Sequence, residues 1–224
     1  MTVKPLLGVI GGMGTQATAY FYEKLHSLQS VSAEQEYMDV LLYSMPSIPD
    51  RTAYITGQST DSPLESLIHA ARTLETGGAS HIAVTCVTAH FFHDSLSEAV
   101  DVPKLNILVE TARHIVKRGV NKVCLLATDG TLKSRVFHSA LEKLGIRVVI
   151  PPTDAQSDLM TVIYNVKLGS AEGHEVLDSI ITKSLKTRAE AVILGCTELC
   201  SIARESPDVI NTLEILAKAS LTAV

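Results

Sequence analysis

The chain has no tryptophan, and its aromatic residues amount to only 4% of 224 positions. That scarcity removes the stacking platforms on which proteins hold single-stranded nucleic acid. A formal net charge of -5 likewise leaves no cationic field for a phosphate backbone. No apolar run approaches the roughly 20 residues that cross a bilayer. The opening Met1-Thr2-Val3-Lys4-Pro5 leads straight into a strand pattern, with no secretion-signal plan, so the expected location is cytoplasmic. Cysteine is sparse too: Cys86, Cys124, Cys196 and Cys200 are all there is, and in a reducing compartment they are expected as free thiols. What is present is ordinary for a globular chain, with 46% apolar and 19% charged residues, enough for one large domain or two small ones.

Short apolar runs alternate with helical periods along the whole length. Leu6–Ile10 reads as a strand, followed by the turn Gly11-Gly12-Met13-Gly14 and a helix over Thr15–Leu28. Asp39–Met45 is a second strand, Pro46–Arg51 a proline-punctuated loop, and Ser62-Pro63 the start of a third-period helix. His81–Thr85 is a third strand and ends at Cys86. The second part repeats the order: strand Lys122–Ala127, turn Thr128-Asp129-Gly130-Thr131, a helix to Leu144, strand Arg147–Ile150, helices over Asp154–Lys167 and Ala171–Thr187, and strand Ala191–Gly195 ending at Cys196. Pro103–Val109 reads as a short strand or a helix start, and Pro207–Asn211 as a last strand before a closing helix. Such alternation predicts an α/β fold of two pseudo-symmetric, parallel-sheet, Rossmann-like domains. We expect the first domain over 1–101, completed by 207–224, and the second over 102–206.

Two octets anchor the functional reading, Ala83-Val84-Thr85-Cys86-Val87-Thr88-Ala89-His90 and Val192-Ile193-Leu194-Gly195-Cys196-Thr197-Glu198-Leu199. Each puts a thiol at the carboxyl end of a strand, where open α/β sheets bind ligands, just before a helix start that stabilises thiolate. One such cysteine reads as a small buried residue; two at equivalent places point to a shared pocket. Cys124, within a strand, and Cys200, on a helix, read as packing. The glycine turn is either a tight connection or a carboxylate cradle of backbone N–H groups; it has neither P-loop nor dinucleotide spacing. Arg51 and Lys167 are either solvated charges or cations for a carboxylate. His90 either serves the site or satisfies the core. A metal set can be drawn from Cys86, His90, Cys196 and Cys200, but its C-x3-C spacing is not that of a zinc site, and no metal is expected.

Taken in order, Ile10-Gly11-Gly12-Met13-Gly14, Pro49-Asp50-Arg51-Thr52, Cys86-x-Thr88-Ala89-His90, Leu125-Leu126-Ala127-Thr128 with Gly130-Thr131, Tyr164-Asn165-x-Lys167-x-Gly169 and Leu194-Gly195-Cys196-Thr197-Glu198-Leu199 resemble the aspartate/glutamate racemase family, closest to its aspartate racemase branch. The resemblance implies a site between two α/β domains, usually in a homodimer, and cofactor-independent racemisation without pyridoxal phosphate or metal. It implies that Cys86 and Cys196 flank the Cα of a dicarboxylic amino acid, one removing a proton and the other returning one. Arg51 and Lys167 match carboxylate-holding positions; Met13, Thr88, Thr128 and Thr197 match substrate-binding ones. Two positions depart from the family pattern: Val87 stands where Asn is common, and Thr15, able to cap a helix, where Pro is common. Aspartate is the expected substrate, with glutamate beside it. The other readings are a dicarboxylate-binding homologue without turnover, and a diacid isomerase or decarboxylase that uses its cysteines unequally.

Overall fold

Two parallel sheets carry the fold, one in each half of the chain. The computed structural model describes residues 4–170, 172–187 and 189–224. The first half runs β1 (Leu6–Gly11), α1 (Thr15–Ser27), β2 (Asp39–Ser44), α2 (Arg51–Thr56), α3 (Leu64–Thr76), β3 (His81–Val84), a tight helical turn (Thr88–Phe92), α4 (His93–Ala99) and α5 (Ile107–Lys117). The second runs β4 (Lys122–Leu126), α6 (Asp129–Ser134), α7 (Val136–Glu142), β5 (Arg147–Val149), α8 (Thr153–Lys167), α9 (His174–Lys186), β6 (Ala191–Leu194), α10 (Thr197–Ile202), β7 (Val209–Asn211) and α11 (Thr212–Ala223). The strand orders are β2-β1-β3 and β5-β4-β6-β7, with every ladder parallel. Helices cover both faces, so the central strands β1, β4 and β6 are buried along nearly their whole length and read as unbroken apolar runs.

The halves match closely in plan. The single bridge Ile82–Lys104 continues the first sheet where β7 continues the second, Val192 pairing with Val209. Each of these strand segments then turns at an asparagine that caps a helix. The Asn106 side chain accepts from the N–H groups of Leu108 and Val109, and that of Asn211 from Glu214. The two capped helices cross between the halves. α5 packs on α7, while α11 packs on α1 and β3, and the two lie against each other. Residues 207–224, assigned above as a completion of the first domain, therefore divide: β7 extends the second sheet and only α11 returns to the first half.

Alternation within β1 sends Leu7 and Val9 to a large core shared with the second half, and Ile10 to a smaller core under α3. Several local expectations need correction. Arg51 lies not in a loop but at the first position of α2, which Asp50 caps by accepting from Ala53 N–H at 2.8 Å. The helix expected to run to Leu144 breaks at Arg135, whose φ of 56° is left-handed, into α6 and α7. Thr15 does not cap α1; Gly14 occupies that position without a side-chain bond. Thr18 instead ties the turn, accepting from Gly12 N–H and donating to the Gly14 carbonyl. The expected helix start at Ala171 and the lead-in Met1–Val3 lie outside the described residues; α9 begins at His174. Among the described residues no helix is long and apolar enough to cross a membrane.

Candidate active site

Both strand-end thiols sit where the halves meet. Cys86 follows β3, and the helical turn after it packs on α6 of the second half. Cys196 is the N-cap of α10, which packs on α1 of the first half. Both are buried and unpaired as free cysteines. Two residues beyond each cysteine, a polar side chain reaches across the boundary. Thr88 Oγ1 lies 2.9 Å from Thr128 Oγ1 and 3.0 Å from Thr131 Oγ1, and the latter two hydroxyls are 3.1 Å apart. Glu198 reaches the glycine turn, so close to Gly14 that a Cβ there would collide with its carboxylate. Thr88 and Thr128, expected to line a pocket, thus form a buried hydroxyl knot that clamps the halves together, with Thr128 also capping α6.

The second thiol has a defined proton acceptor. Cys196 Sγ donates to Glu198 Oε2 at 2.9 Å, and Thr197 Oγ1 donates to the same oxygen at 3.3 Å. Burial pushes the Cys196 thiol well up from its ordinary value, the Glu198 carboxylate pushes it further, and Lys167 only partly opposes them; Cys86 is near enough to add its own upward push. At Cys196 this corrects the expectation that the helix start would favour thiolate: α10 is only 6 residues long, and its dipole is outweighed by burial and by a carboxylate in direct contact. Glu198 Oε1, also buried, has no hydrogen-bond partner among the described residues. Glu198 belongs to the second octet, where no local pattern marks it for a role.

A cleft of about 430 Å³ is lined by Gly12–Thr15, Pro46, Ile48, Asp50, Arg51 and Lys167; Cys86, Cys196 and Glu198 are not among its lining residues, and Glu198 lies behind Gly14. Gly12 has φ 87°, and a Cβ there would collide with Met45 N and fall 2.7 Å from Pro46 N, so no side chain fits. The Arg51 guanidinium is buried and donates to the carbonyls of Ile48, Pro49 and Met13 at 3.0, 2.9 and 3.1 Å, which fixes its plane, while its Nε stays buried without a partner. Lys167, at the end of α8, lies 3.6 Å from Asp50 Oδ2 and 4.7 Å from the centre of the Tyr164 ring. Burial favours its neutral amine, but Glu198, Cys196 and Asp50 more than offset this against Arg51, so its pKa is raised and it stays cationic. Asp50 is lowered: burial disfavours its charge, yet the Ala53 N–H, Lys167, Arg51 and Tyr164 together win. Met13, Arg51 and Lys167 line this one cleft.

The remaining candidates serve structure. His90 Nδ1 donates to the Cys86 carbonyl at 2.9 Å and Nε2 accepts from Ile107 N–H at 3.3 Å, a neutral imidazole whose pKa burial lowers to about 4. It ties the thiol-bearing turn to the start of α5. Cys200 makes the matching tie in the second half, to the Leu194 carbonyl and Thr212 Oγ1. With His90 and Cys200 so engaged, the drawn four-ligand set does not converge; among the described residues no group of three or more His, Cys, Asp or Glu is placed to hold a metal ion. Cys124 is core.

The Asp/Glu/hydantoin racemase family model matches residues 10–219. The chain belongs to this family. A broad-specificity amino-acid racemase, RacX, of Bacillus subtilis (strain 168) is 27% identical over 97% of each chain. A Picrophilus torridus aspartate racemase of known structure is 31% identical and superposes with a TM-score of 0.88, over 98% of this chain and 94% of its own. An aspartate racemase homologue from Pyrococcus horikoshii OT3 gives 29% and 0.77, over 98% of both chains. These relatives are racemases by name, and racemases are isomerases. Within the Asp/Glu/hydantoin racemase family this member's Val87 has a structural reading: its side chain, 1% exposed, packs in the shared apolar core and is not among the residues lining the cleft.

Proposed function

We propose that the protein interconverts L- and D-aspartate, with glutamate a second substrate, by cofactor-independent proton transfer at Cα between Cys86 and Cys196. One observation supports this reading: the two thiols follow matched strands of the two halves, and Cys86 lies near enough to Cys196 for its charge to raise the Cys196 thiol. Beside them, Arg51 and Lys167 bring two fixed cations to a small cleft, the charge pattern a dicarboxylate needs.

A Cα–H next to an ionised carboxylate is a very weak acid. Its removal requires that the charge developing on the carboxylate meet donors already in place, and in a dry cleft these are worth far more than in water. A guanidinium fixed by three carbonyls meets this condition without reorganising. One cysteine as thiolate then takes the proton from one face of Cα. The other, as thiol, gives a proton to the opposite face, and the two exchange roles for the other enantiomer. A planar intermediate need not turn over between two bases. All residues in this scheme come from one chain, so it does not depend on the homodimer that the resemblance implies.

The test is loss of optical rotation across a panel of L- and D-amino acids. Aspartate racemising fastest, then glutamate, is the expected result. Faster racemisation of neutral amino acids would overturn the substrate class. Tight calorimetric binding of aspartate with no loss of rotation would make the protein a receptor.

A further inference from the structure

The two residues that follow each thiol differ in one chemical respect. After Cys86 come Val87 and Thr88, neither ionisable; after Cys196 come Thr197 and Glu198. The Glu198 side chain is 2% exposed, folds back so that Oε2 accepts the Cys196 proton at 2.9 Å, and leaves Oε1 buried without a partner. A carboxylate buried this deeply costs several kcal/mol unless charges and donors compensate it. Three neighbours do so: the Thr197 hydroxyl at 3.3 Å, the N-terminal end of α1 at Gly14, and the Lys167 ammonium, whose charge Glu198 stabilises in return. Gly14 is the residue whose missing Cβ makes room for it.

We infer that Glu198 is the proton partner of the thiol pair, the group that takes up the proton released when one cysteine becomes thiolate. This deepens the racemase reading and rests on it. The two sulfurs and Glu198 share two protons. The resting form in this scheme has both sulfurs as thiols and Glu198 as a carboxylate, with Cys196 Sγ 2.9 Å from Glu198 Oε2. In the active form Glu198 is a carboxylic acid and one sulfur is a thiolate. The proton leaves Cys196 Sγ for Glu198 Oε2 as the S–H bond breaks and an O–H bond forms. The Cys196 thiolate then removes the Cα proton while Cys86 protonates the far face. For the other enantiomer Cys86 is the thiolate, Cys196 the donor, and Glu198 again holds the extra proton. No charge enters or leaves the closed site in either direction. The other charges around this set are Lys167 from α8, itself facing Asp50 and Arg51 of the first half; His90 beside Cys86 is neutral. The raised Cys196 thiol fits a resting dithiol.

Glu198→Gln tests this, since the amide keeps the shape but cannot take a proton. At neutral pH its kcat/KM should fall by about 100-fold or more, equally for L- and D-aspartate because the enantiomers are equal in free energy. Its rate should rise steeply at alkaline pH, where solvent removes the thiol proton, while the wild type stays flat. Glu198→Asp should regain part of the neutral-pH rate. A purely structural Glu198 predicts the reverse: Gln near wild type with an unaltered pH profile, Asp worse. A second readout needs no turnover. Thiolate absorbance of each protein minus its Cys196→Ala counterpart should titrate at lower pH in Glu198→Gln than in wild type. An unshifted titration, or a wild-type rate and profile in Glu198→Gln, overturns the inference. Wild type that racemises no amino acid fails the parent reading instead, and the titration still decides whether Glu198 governs the thiol.

Discussion

Laid side by side, the two halves share a backbone and diverge in chemistry. Thr85-Cys86-Val87-Thr88-Ala89-His90 aligns with Gly195-Cys196-Thr197-Glu198-Leu199-Cys200, each following a parallel strand flanked by the same neighbours. Each half then adds one strand segment, turns at a capping asparagine and sends a helix to its partner. Four positions after each cysteine, His90 and Cys200 make equivalent ties to the next helix. Two positions after each cysteine the equivalence fails. Thr88 joins a neutral hydroxyl knot, whereas Glu198 holds a charge against its thiol. A repeated scaffold thus places two thiols at like strand ends while setting a carboxylate against only one of them.

The largest effect expected is on the thiols themselves. Cys86→Ala and Cys196→Ala should each lower racemisation of aspartate by about 1000-fold or more, since neither sulfur can invert the centre alone. A single-cysteine variant that keeps its rate, measured by polarimetry, would break the pairing. The next prediction sets His90 against Cys200. His90 has a folded pKa of about 4, below the ordinary value, so its contribution to stability is complete above about pH 6.5 and is lost as pH falls through about 4. Cys200 has a folded pKa of about 11, above the ordinary value, so its contribution is complete below about pH 9 and is lost as pH rises through about 11. Each flank is worth about 3 kcal/mol. Urea denaturation across pH should show His90→Gln flattening only the acid limb and Cys200→Ala only the alkaline one.

Lys167→Met should raise KM for aspartate by roughly 10- to 100-fold, the worth of a charge-assisted bond, with kcat less affected. An unchanged KM would remove Lys167 from substrate binding. The smallest effects separate the two turn glycines. At Gly130 a Cβ would lie 2.9 Å from Thr52 Cα, so Gly130→Ala should cost about 1–3 kcal/mol in thermal or urea unfolding. At Gly14 its three nearest atoms would all belong to the Glu198 side chain rather than to backbone, so Gly14→Ala should lose rate by about 10-fold while losing less stability.

Much of this frame is legible in the sequence, because strands buried on both faces must be continuously apolar and parallel pairs must be joined by helices. Leu6–Ile10, Lys122–Leu126 and Ala191–Leu194 announce themselves that way. What does not show is set by distant contacts or by short elements. α2 is too short for a helical period and depends on its Asp50 cap. The orientation of Arg51 is decided by carbonyls on two separate loops. The fate of the Cys196 proton was misread because helix polarity is visible in a local pattern, whereas a carboxylate folding back onto the sulfur depends on room left by Gly14 in the other half. Thr88 and Thr128 read as pocket hydroxyls for the same reason: nothing local says that they face each other.

The claim that two sulfurs serve one carbon is tested most directly by following L-aspartate in deuterated water through the first few per cent of conversion. The account predicts that newly formed D-aspartate carries deuterium at Cα in every molecule while the remaining L-aspartate stays unlabelled, since proton removal and proton delivery use different groups. Deuterium entering the L-aspartate pool as fast as D-aspartate forms, or D-aspartate retaining the original hydrogen, would contradict it.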